Sequence, residues 1–469
     1  MNHTTSSEWT ENITYDELQI GQSARLLRTL TLKDIQAFAA VSGDTNPAHL
    51  DPAYANDTLF QGVIAHGMWS GALISALLGT EFPGPGTIYL DQALHFMRPV
   101  RIGDTLTVRA TVSAKDDVRK AVTLECEVIN QKGERVVGGT ARVLAPAKKV
   151  RLPKVEAPQI QLFDPQARFK ALLSRGAGLP PVRCAVVHPC DTESLAGALD
   201  AARHGLMDPV LIGPAQRIRE LAAEAGLDLH GTTLVHMPHS HAAAEHAAEL
   251  AANGTVGALM KGSLHTDELI HAVLAYKELR TGRRMSHVFR FDVPLYSKPL
   301  LITDAALNIR PTLSEKVDIL QNAIDFAKIL EIETPKVALL SAVESVNPHI
   351  PSTIDAAALC KMADRGQITG GVLDGPLAFD NAISAQAAQI KHIVSPVAGL
   401  ADILAVPDLE SGNMLAKQLE YLGGATGSGI VLSARVPIAL TSRADGPMAR
   451  VASALLALLV ADHGRQKMR

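Results

Sequence analysis

Aromatic side chains are scarce in this chain, 4% of its 469 residues, so any core must be built mainly from aliphatic ones. Excess positive charge is missing too. The 44 Lys and Arg against 48 Asp and Glu leave a formal charge of −4, which supplies no global field to hold nucleic acid. Only four cysteines occur, Cys126, Cys184, Cys190 and Cys360, in neither a zinc-like spacing nor a disulfide framework, and reduced thiols in a cytosol fit them. Long apolar runs are absent: the longest, residues 451–460, is about half a membrane span, and the first residues carry no signal-like pattern. A soluble, cytoplasmic protein with no membrane partner is expected.

What is present is ample for folding. Hydrophobic residues at 47% and charged ones at 20% exclude wholesale disorder, and the length suits about three compact domains. Residues 14–145 contain an apolar helix at 67–78 and alternating strands at 104–113, 121–129 and 135–144, the last two joined by the turn Asn130-Gln-Lys-Gly133. A curved antiparallel sheet around one long helix fits that order. Between 145 and 164, Pro146, Pro153 and Pro158 stand among Lys148, Lys149, Arg151 and Lys154, a stretch read as a solvated linker.

Beyond Phe169, short β-branched runs alternate with Ala-rich helices, which predicts a parallel sheet covered on both faces, with ligands near the carboxyl ends of its strands. The expected boundaries are a first domain over 1–150, a linker over 151–164 and a second domain over 165–469. That second domain should form two α/β lobes, about 165–287 plus 433–469, and 288–432, with ligands in the cleft between them.

Two places in the first domain carry chemistry. Asp44 and His49 stand five residues apart across an Asn46-Pro47 turn, read as a loop because Pro47 disfavours helix at Asn46, so their side chains can converge on one water. Gly67 opens the apolar helix, where its amide could receive a thioester oxygen as that oxygen gains enolate charge. Taken singly, these residues also suit an Asx turn, a core histidine and a helix start.

Together with Ser42-Gly-Asp-Thr-Asn-Pro-Ala-His49, His66-Gly-Met68, Ile88-Tyr-Leu90, Phe96-x-Arg-Pro-Val100 and Gly103-Asp104, they resemble the MaoC-like hot-dog family of R-specific enoyl-CoA hydratases over residues 12–145. The resemblance implies a dimerising α+β hot-dog fold, syn addition of water to trans-2-enoyl-CoA and a catalytic pair at Asp44 and His49. It also implies thioester binding at the Gly67 amide, with Asn46 and Ser70 as substrate contacts and Ser75 a further acyl-chain candidate. Asp44 is the expected base, with His49 sharing the water.

In the second domain His236, His239, His241 and His246 crowd together without an acidic partner at a standard spacing, so no metal is expected there. The run Gly423-Gly-Ala-Thr-Gly-Ser-Gly429 is not a dinucleotide fingerprint but has enough amides to line an anion site. Leu440-Thr-Ser-Arg-Ala-Asp445 follows a strand and offers the groups that acyl phosphate chemistry uses: Ser442, Arg443 and Asp445. Lys261, Arg283 and Arg284 flank other strands and could converge on the same anion.

These segments, with Ala258-Leu-Met-Lys-Gly262, Thr266, the Arg-Arg-Met-Ser-His segment at 283–287, Asp374-Gly-Pro-Leu-Ala-Phe-Asp-Asn381 and Val406-Pro-Asp-Leu-Glu-Ser-Gly-Asn-Met414, resemble the phosphate acetyltransferase and butyryltransferase family over about 165–465. The segment at 374–381 looks closer to the butyryl branch. The resemblance implies acyl transfer between CoA and phosphate, a catalytic Ser442 and Arg443, and substrate contacts at Lys261, Arg284, Gly423 and Gly424. The acetyl branch has an Asp seven residues beyond the Ser, where Ala449 stands here. Asp445 lies at another offset, which leaves the thiol base open; Cys360, after a helical Ala run, reads as core.

The expectation is a bifunctional enzyme, an α+β hot-dog hydratase followed by an α/β phosphate acyltransferase, using CoA thioesters and phosphate with no metal or tightly bound cofactor, and forming a homo-oligomer. Two alternatives stay open. The second domain is a CoA-binding regulatory module without turnover, or the hot-dog half supplies dimer contacts only.

Overall fold

The structure, a computed structural model, describes residues 9–155, 162–441 and 445–467. Contacts divide the chain into two units, Met1–Leu162 and Phe163–Arg469.

In the first unit the strands Ser23–Thr29, Thr105–Asp116, Ala121–Ile129, Arg135–Leu144 and Ile88–Phe96 form, in that order, an antiparallel sheet. Alternation puts Leu106, Val108, Ala110 and Val112 on its inner face with Val122, Leu124, Cys126 and Val128 beside them. That face wraps the helix Gly67–Thr80, which buries Trp69, Ile74, Leu77 and Leu78 in the same core. Burying each large aliphatic side chain contributes roughly 1.5–3 kcal/mol, so the single helix is held by its contacts rather than by propensity. At Gly139 a Cβ would stand 1.9 Å from the Ala93 carbonyl oxygen, so glycine permits this close approach of the last two strands.

The segment read as linker begins as structure. Arg151–Pro153 pairs antiparallel with Trp9–Glu11, and Asn12 fastens the same turn, donating to Lys148 O at 2.8 Å and accepting from Val150 N at 2.9 Å. Prolines do not prevent an edge strand of this length. Lys149 and Arg151 form exposed ion pairs with Glu17 (3.1 Å) and Glu11 (3.3 Å).

In the second unit one eleven-stranded sheet runs continuously instead of two separate sheets. Thr233–His236, Met207–Gly213, Val182–Val187, Ala258–Lys261 and Ile438–Ala439 make a parallel block, and Leu300–Thr303, Ile403–Ala405, Lys336–Leu340 and Val372–Leu377 make another. Between them Thr426–Leu432 and Ser286–Asp292 pair antiparallel with each other and with their outer neighbours. The all-parallel expectation fails at these two strands, and their effect is to reverse strand direction between the blocks, so the two sets of carboxyl ends lie at opposite edges of the sheet.

His287 lies in the central strand Ser286–Asp292, fully buried, its ring 4.3 Å from that of Phe289, and burial pushes its pKa down to about 3. The unfolded chain takes up a proton near pH 6.5 that the folded chain refuses, so this contribution is complete above pH 6.5 and lost as pH falls toward 3. Compared with His287→Leu, the wild-type second unit should lose about 1.4 kcal/mol per pH unit across that window in urea unfolding. Parallel pH profiles for the two proteins would contradict this.

The first unit carries its own core, so residues 1–162 expressed alone should be folded. Shortening the fragment to 1–150 removes the strand Arg151–Pro153 and should lower its melting temperature by several degrees. Equal melting of the two fragments would show that this ribbon contributes nothing.

Candidate active sites

The helix Leu32–Ser42 begins with a capping box, Thr31 with Asp34, and ends at Gly43, whose φ of 75° suits glycine and turns the chain out of the helix. Asp44 follows, its carboxylate accepting from Asn46 N at 3.2 Å. The segment is not the continuous loop expected. Pro47 takes the first position of a single helical turn, Pro47–Leu50, where its missing N–H has no cost, and the Asn46 side chain caps that turn by accepting from Ala48 N. His49 rides on it, three residues past the cap.

His49 Nδ1 lies 2.9 Å from Ile64 O, which makes that nitrogen the donor. His66, from the motif His66-Gly-Met68, is only 2% exposed. Its Nε2 lies 3.0 Å from Asp44 O, and its ring centroid is 3.9 Å from that of His49. Asp44, His49 and His66 each offer a polar atom, all within 4.8 Å of one another. Asp44 is exposed and His49 half-buried, so the group has a wet side.

His66 is also the residue before the helix Gly67–Thr80, whose first N–H groups have no intrahelical acceptor. At Gly67 a Cβ would stand 3.2 Å from Phe96 Cε1, which ties the helix start to the edge strand. Ser70 lies one turn on and is buried, whereas Ser75 is exposed. Carboxylate, imidazole and helix N-terminus are the parts that hold a water and receive an oxyanion.

In the second unit Ser442 and Arg443 lie outside the described residues. Among the described residues, the loops after three adjacent parallel strands share one edge: Lys261 at the end of Ala258–Lys261, Asp191 after Val182–Val187, and Thr441 and Asp445 after Ile438–Ala439. Lys261 is 5% exposed and Asp445 9%. Burial acts to raise Asp191, but hydrogen bonds from Ser194 and Ser263 and the charge of Arg450 outweigh it and hold the carboxyl low. Lys417, on the helix Leu409–Tyr421, has its pKa raised against burial by Glu420 (2.8 Å away) with help from Asp445. Asp191, Lys417 and Arg450 carry no signature in the sequence pattern, since only the fold brings them here.

Arg283 and Arg284 do not converge with Lys261. Strand register places Lys261 level with Phe289, five residues beyond Arg284, which is roughly 16 Å along the strand direction. At that opposite edge Arg283 pairs with Asp325 (2.6 Å), and Arg284 pairs with Glu315 (2.7 Å) and also binds Asn308.

The Gly-rich run is no amide cradle either. Leu422 N and Gly423 N both donate to Gln418 O, and Ala425 N donates to Leu419 O, so these amides close the helix Leu409–Tyr421 at its partially negative end. Gly424, with φ of 62°, makes the turn, and Gly427 and Gly429 belong to the strand Thr426–Leu432.

The crowded histidines are structural. His239 accepts from Ala242 N as a helix cap, His236 accepts from Ala215 N, and His246 pairs with Glu249 at 3.0 Å. Burial pushes the Cys360 thiol up to about 12, which leaves little thiolate near neutral pH.

The two groups of side chains lie one in each unit. Residues 240–458 match the family described as Phosphate acetyl/butaryl transferase, and residues 17–132 the MaoC like domain. The phosphate acetyltransferase of Rickettsia prowazekii (strain Madrid E) is 57% identical over 310 residues, 65% of this chain and 88% of that protein. A branched-chain phosphotransacylase from Enterococcus faecalis V583 is similar at 30% identity and TM-score 0.53, covering 60% of this chain and 99% of that one. R-hydratase PhaJ1 from Pseudomonas aeruginosa is 48% identical, covering 33% and 99%, with a TM-score of 0.32. The chain belongs to the phosphate acetyl/butyryl transferase family, with a MaoC-like hot-dog domain in front. Among the described residues no helix is long and apolar enough to cross a membrane.

A metal was expected at neither site, yet Asp44, His49 and His66 lie close enough together to hold an ion. Exhaustive chelation should leave the hydration proposed below intact if the trio holds water alone. Loss of hydration with EDTA, restored by zinc, would assign it a metal.

Proposed function

We propose that the first unit hydrates trans-2-enoyl-CoA to (R)-3-hydroxyacyl-CoA and that the second transfers a short acyl group between CoA and phosphate. The observation that carries the first half is the meeting of Asp44 with a carbonyl-anchored His49, polar atoms of the two within 4.8 Å, beside a helix N-terminus. Asp44 takes a proton from water held with His49, the water oxygen bonds to the β-carbon, and the electron pair moves to the thioester oxygen at the Gly67 amide. A proton returned to the α-carbon completes the addition. Ser70 and Asn46 would border the acyl chain, Asn46 through its place in the turn because its side-chain oxygen is engaged.

In the second unit, Arg443 and Lys261 would hold phosphate charge and Ser442 would supply a hydrogen bond. The CoA thiol loses its proton, for which Asp445 is the nearest candidate in sequence, attacks the acyl phosphate carbonyl, and phosphate leaves. Acetyl is the favoured group: the 57% identical relative bears that name, against the butyryl-like look of residues 374–381. The regulatory-module alternative has less support, because Lys261, Thr441 and Asp445 share one edge of the sheet.

We also infer a homo-oligomer and a cytoplasmic location. Strand Ile88–Phe96 is the last of its sheet and exposes Ile88, Leu90 and Phe96, an apolar edge suited to a second copy. Unpaired cysteines suit a reducing compartment.

The two activities should separate by single substitutions. Asp44→Asn keeps shape but removes the base, and hydration of crotonyl-CoA should fall about 10²–10⁴-fold with acyl transfer spared. Arg443→Ala should lower acyl phosphate formation about 10²–10³-fold with hydration spared. Failure of the crossed pattern, with melting unchanged, would sink the corresponding assignment. A wild-type chain forming no acyl phosphate from acetyl-CoA or butyryl-CoA would favour the regulatory module.

A further inference from the structure

The residues Ile64 to Gly67 reach each part of the candidate site in the first unit. Ile64 O accepts from His49 Nδ1 at 2.9 Å, His66 Nε2 lies 3.0 Å from Asp44 O, and Gly67 begins the helix whose first N–H groups lack an intrahelical acceptor. The stretch is itself fixed. Ala65 N donates to Val100 O at 2.8 Å, Ile64 pairs antiparallel with Arg101, and Ala65 and His66 are buried.

Asp44 has little else to hold it. Its N–H donates to Ser42 Oγ and its carboxylate accepts from Asn46 N, each at 3.2 Å, and both partners lie two residues away on the same exposed segment. Among the described residues, the hydrogen bond with His66 is the one that ties Asp44 to a distant part of the chain, 22 residues on. A carbonyl oxygen can only accept, so His66 Nε2 carries the proton. Nδ1 of the same ring is buried with no hydrogen-bond partner among the described residues, so a proton there would be an unpaired donor, and the Nε2–H tautomer is the one this place holds. The ring also packs on two others, with centroids 3.9 Å from that of His49 and 5.1 Å from that of Phe38, which restrains the tilt of its plane.

We propose that His66 is a positioning residue for hydration, holding the Asp44 peptide so that the carboxylate meets the water beside His49. The inference rests on the hydration reading above and deepens it. His66 touches no reacting atom in this account; its effect on rate passes through the placement of Asp44, where a misplacement of about 1 Å can cost on the order of 10²-fold. One ring thus links the base to its imidazole partner, by a hydrogen bond to the first and a stacking contact with the second.

The test compares replacements of His66 in the full-length chain. His66→Phe keeps a ring and loses the donor, whereas His66→Gln carries an amide N–H on a side chain long enough to reach the place of Nε2. In His66→Phe, kcat for crotonyl-CoA hydration should fall roughly 10–10²-fold, with KM within about twofold and acyl phosphate formation unchanged. His66→Gln should recover kcat to within about fivefold of wild type. In an Asp44→Asn background, His66→Phe should cost less than about twofold more, because both changes act on one group. Full activity in folded His66→Phe, equal falls in the Phe and Gln variants, a rise in KM with kcat held, or additive costs with Asp44→Asn would each overturn the positioning role. Should His66→Phe not fold, His66→Asn takes its place, its amide stopping short of Asp44 O, and must fall as far below His66→Gln; equal activity of those two would also overturn it. No hydration by wild type, or no effect of Asp44→Asn itself, would instead remove the hydration reading on which the role rests.

Discussion

Strand direction in the middle of the eleven-stranded sheet decides which residues of the second unit can work together. Ser286–Asp292 and Thr426–Leu432 run antiparallel to each other and to their outer neighbours, so the flanking parallel blocks point their carboxyl ends to opposite edges. Backbone ladder geometry enforces this whatever the side chains are. Lys261, Thr441 and Asp445 share one edge, while Arg284, Asp304 and Val406 lie at the other. The packing of this centre is correspondingly tight: a Cβ at Gly429 would stand 2.4 Å from Leu440 O and 2.7 Å from the His287 ring, and one at Gly427 would meet Phe291.

Helix polarity sorts the glycine-rich segments by a second physical rule. Gly67 starts a helix, where orphan N–H groups make a positive end fit for an oxygen gaining charge. Gly423 and Gly424 finish one, where their neighbours' amides are already spent on helix carbonyls and the end is partially negative. Spelled out as sequence, both look like small-residue turns with amides to offer. Only the order of helix and turn distinguishes them, and Leu409–Tyr421 precedes its glycines whereas Gly67–Thr80 follows from its own.

Much of this was legible before the structure. The helix Gly67–Thr80 follows from its continuous apolar run, and the strands Ala121–Ile129 and Arg135–Leu144 follow from alternation. Asp44 and His49 were legible as a pair because five residues and one proline separate them. Convergence across the sheet was not. Arg284 and Lys261 belong to one motif set, yet pairing order and strand sense are long-range properties that no local pattern encodes. For the same reason Arg450 passed unnoticed: a lone basic residue in an Ala-rich helix reads as solvated surface until Gly197 opens a notch for it.

His66 shows how the unread residues relate to the read ones. It lies in the quoted motif, but its work is done through another residue's backbone, by holding the Asp44 carbonyl while stacking on His49. Arg450 does a corresponding thing in the other unit, holding the Asp445 carbonyl and the Thr441 hydroxyl. In the first unit the acid assigned to chemistry follows a helix end and the imidazole rides on a single helical turn, which alone could not keep them within the tolerance a reacting geometry requires. A buried side chain at the start of a long helix supplies that constraint. Loops can then carry the reactive groups without having to be rigid in themselves.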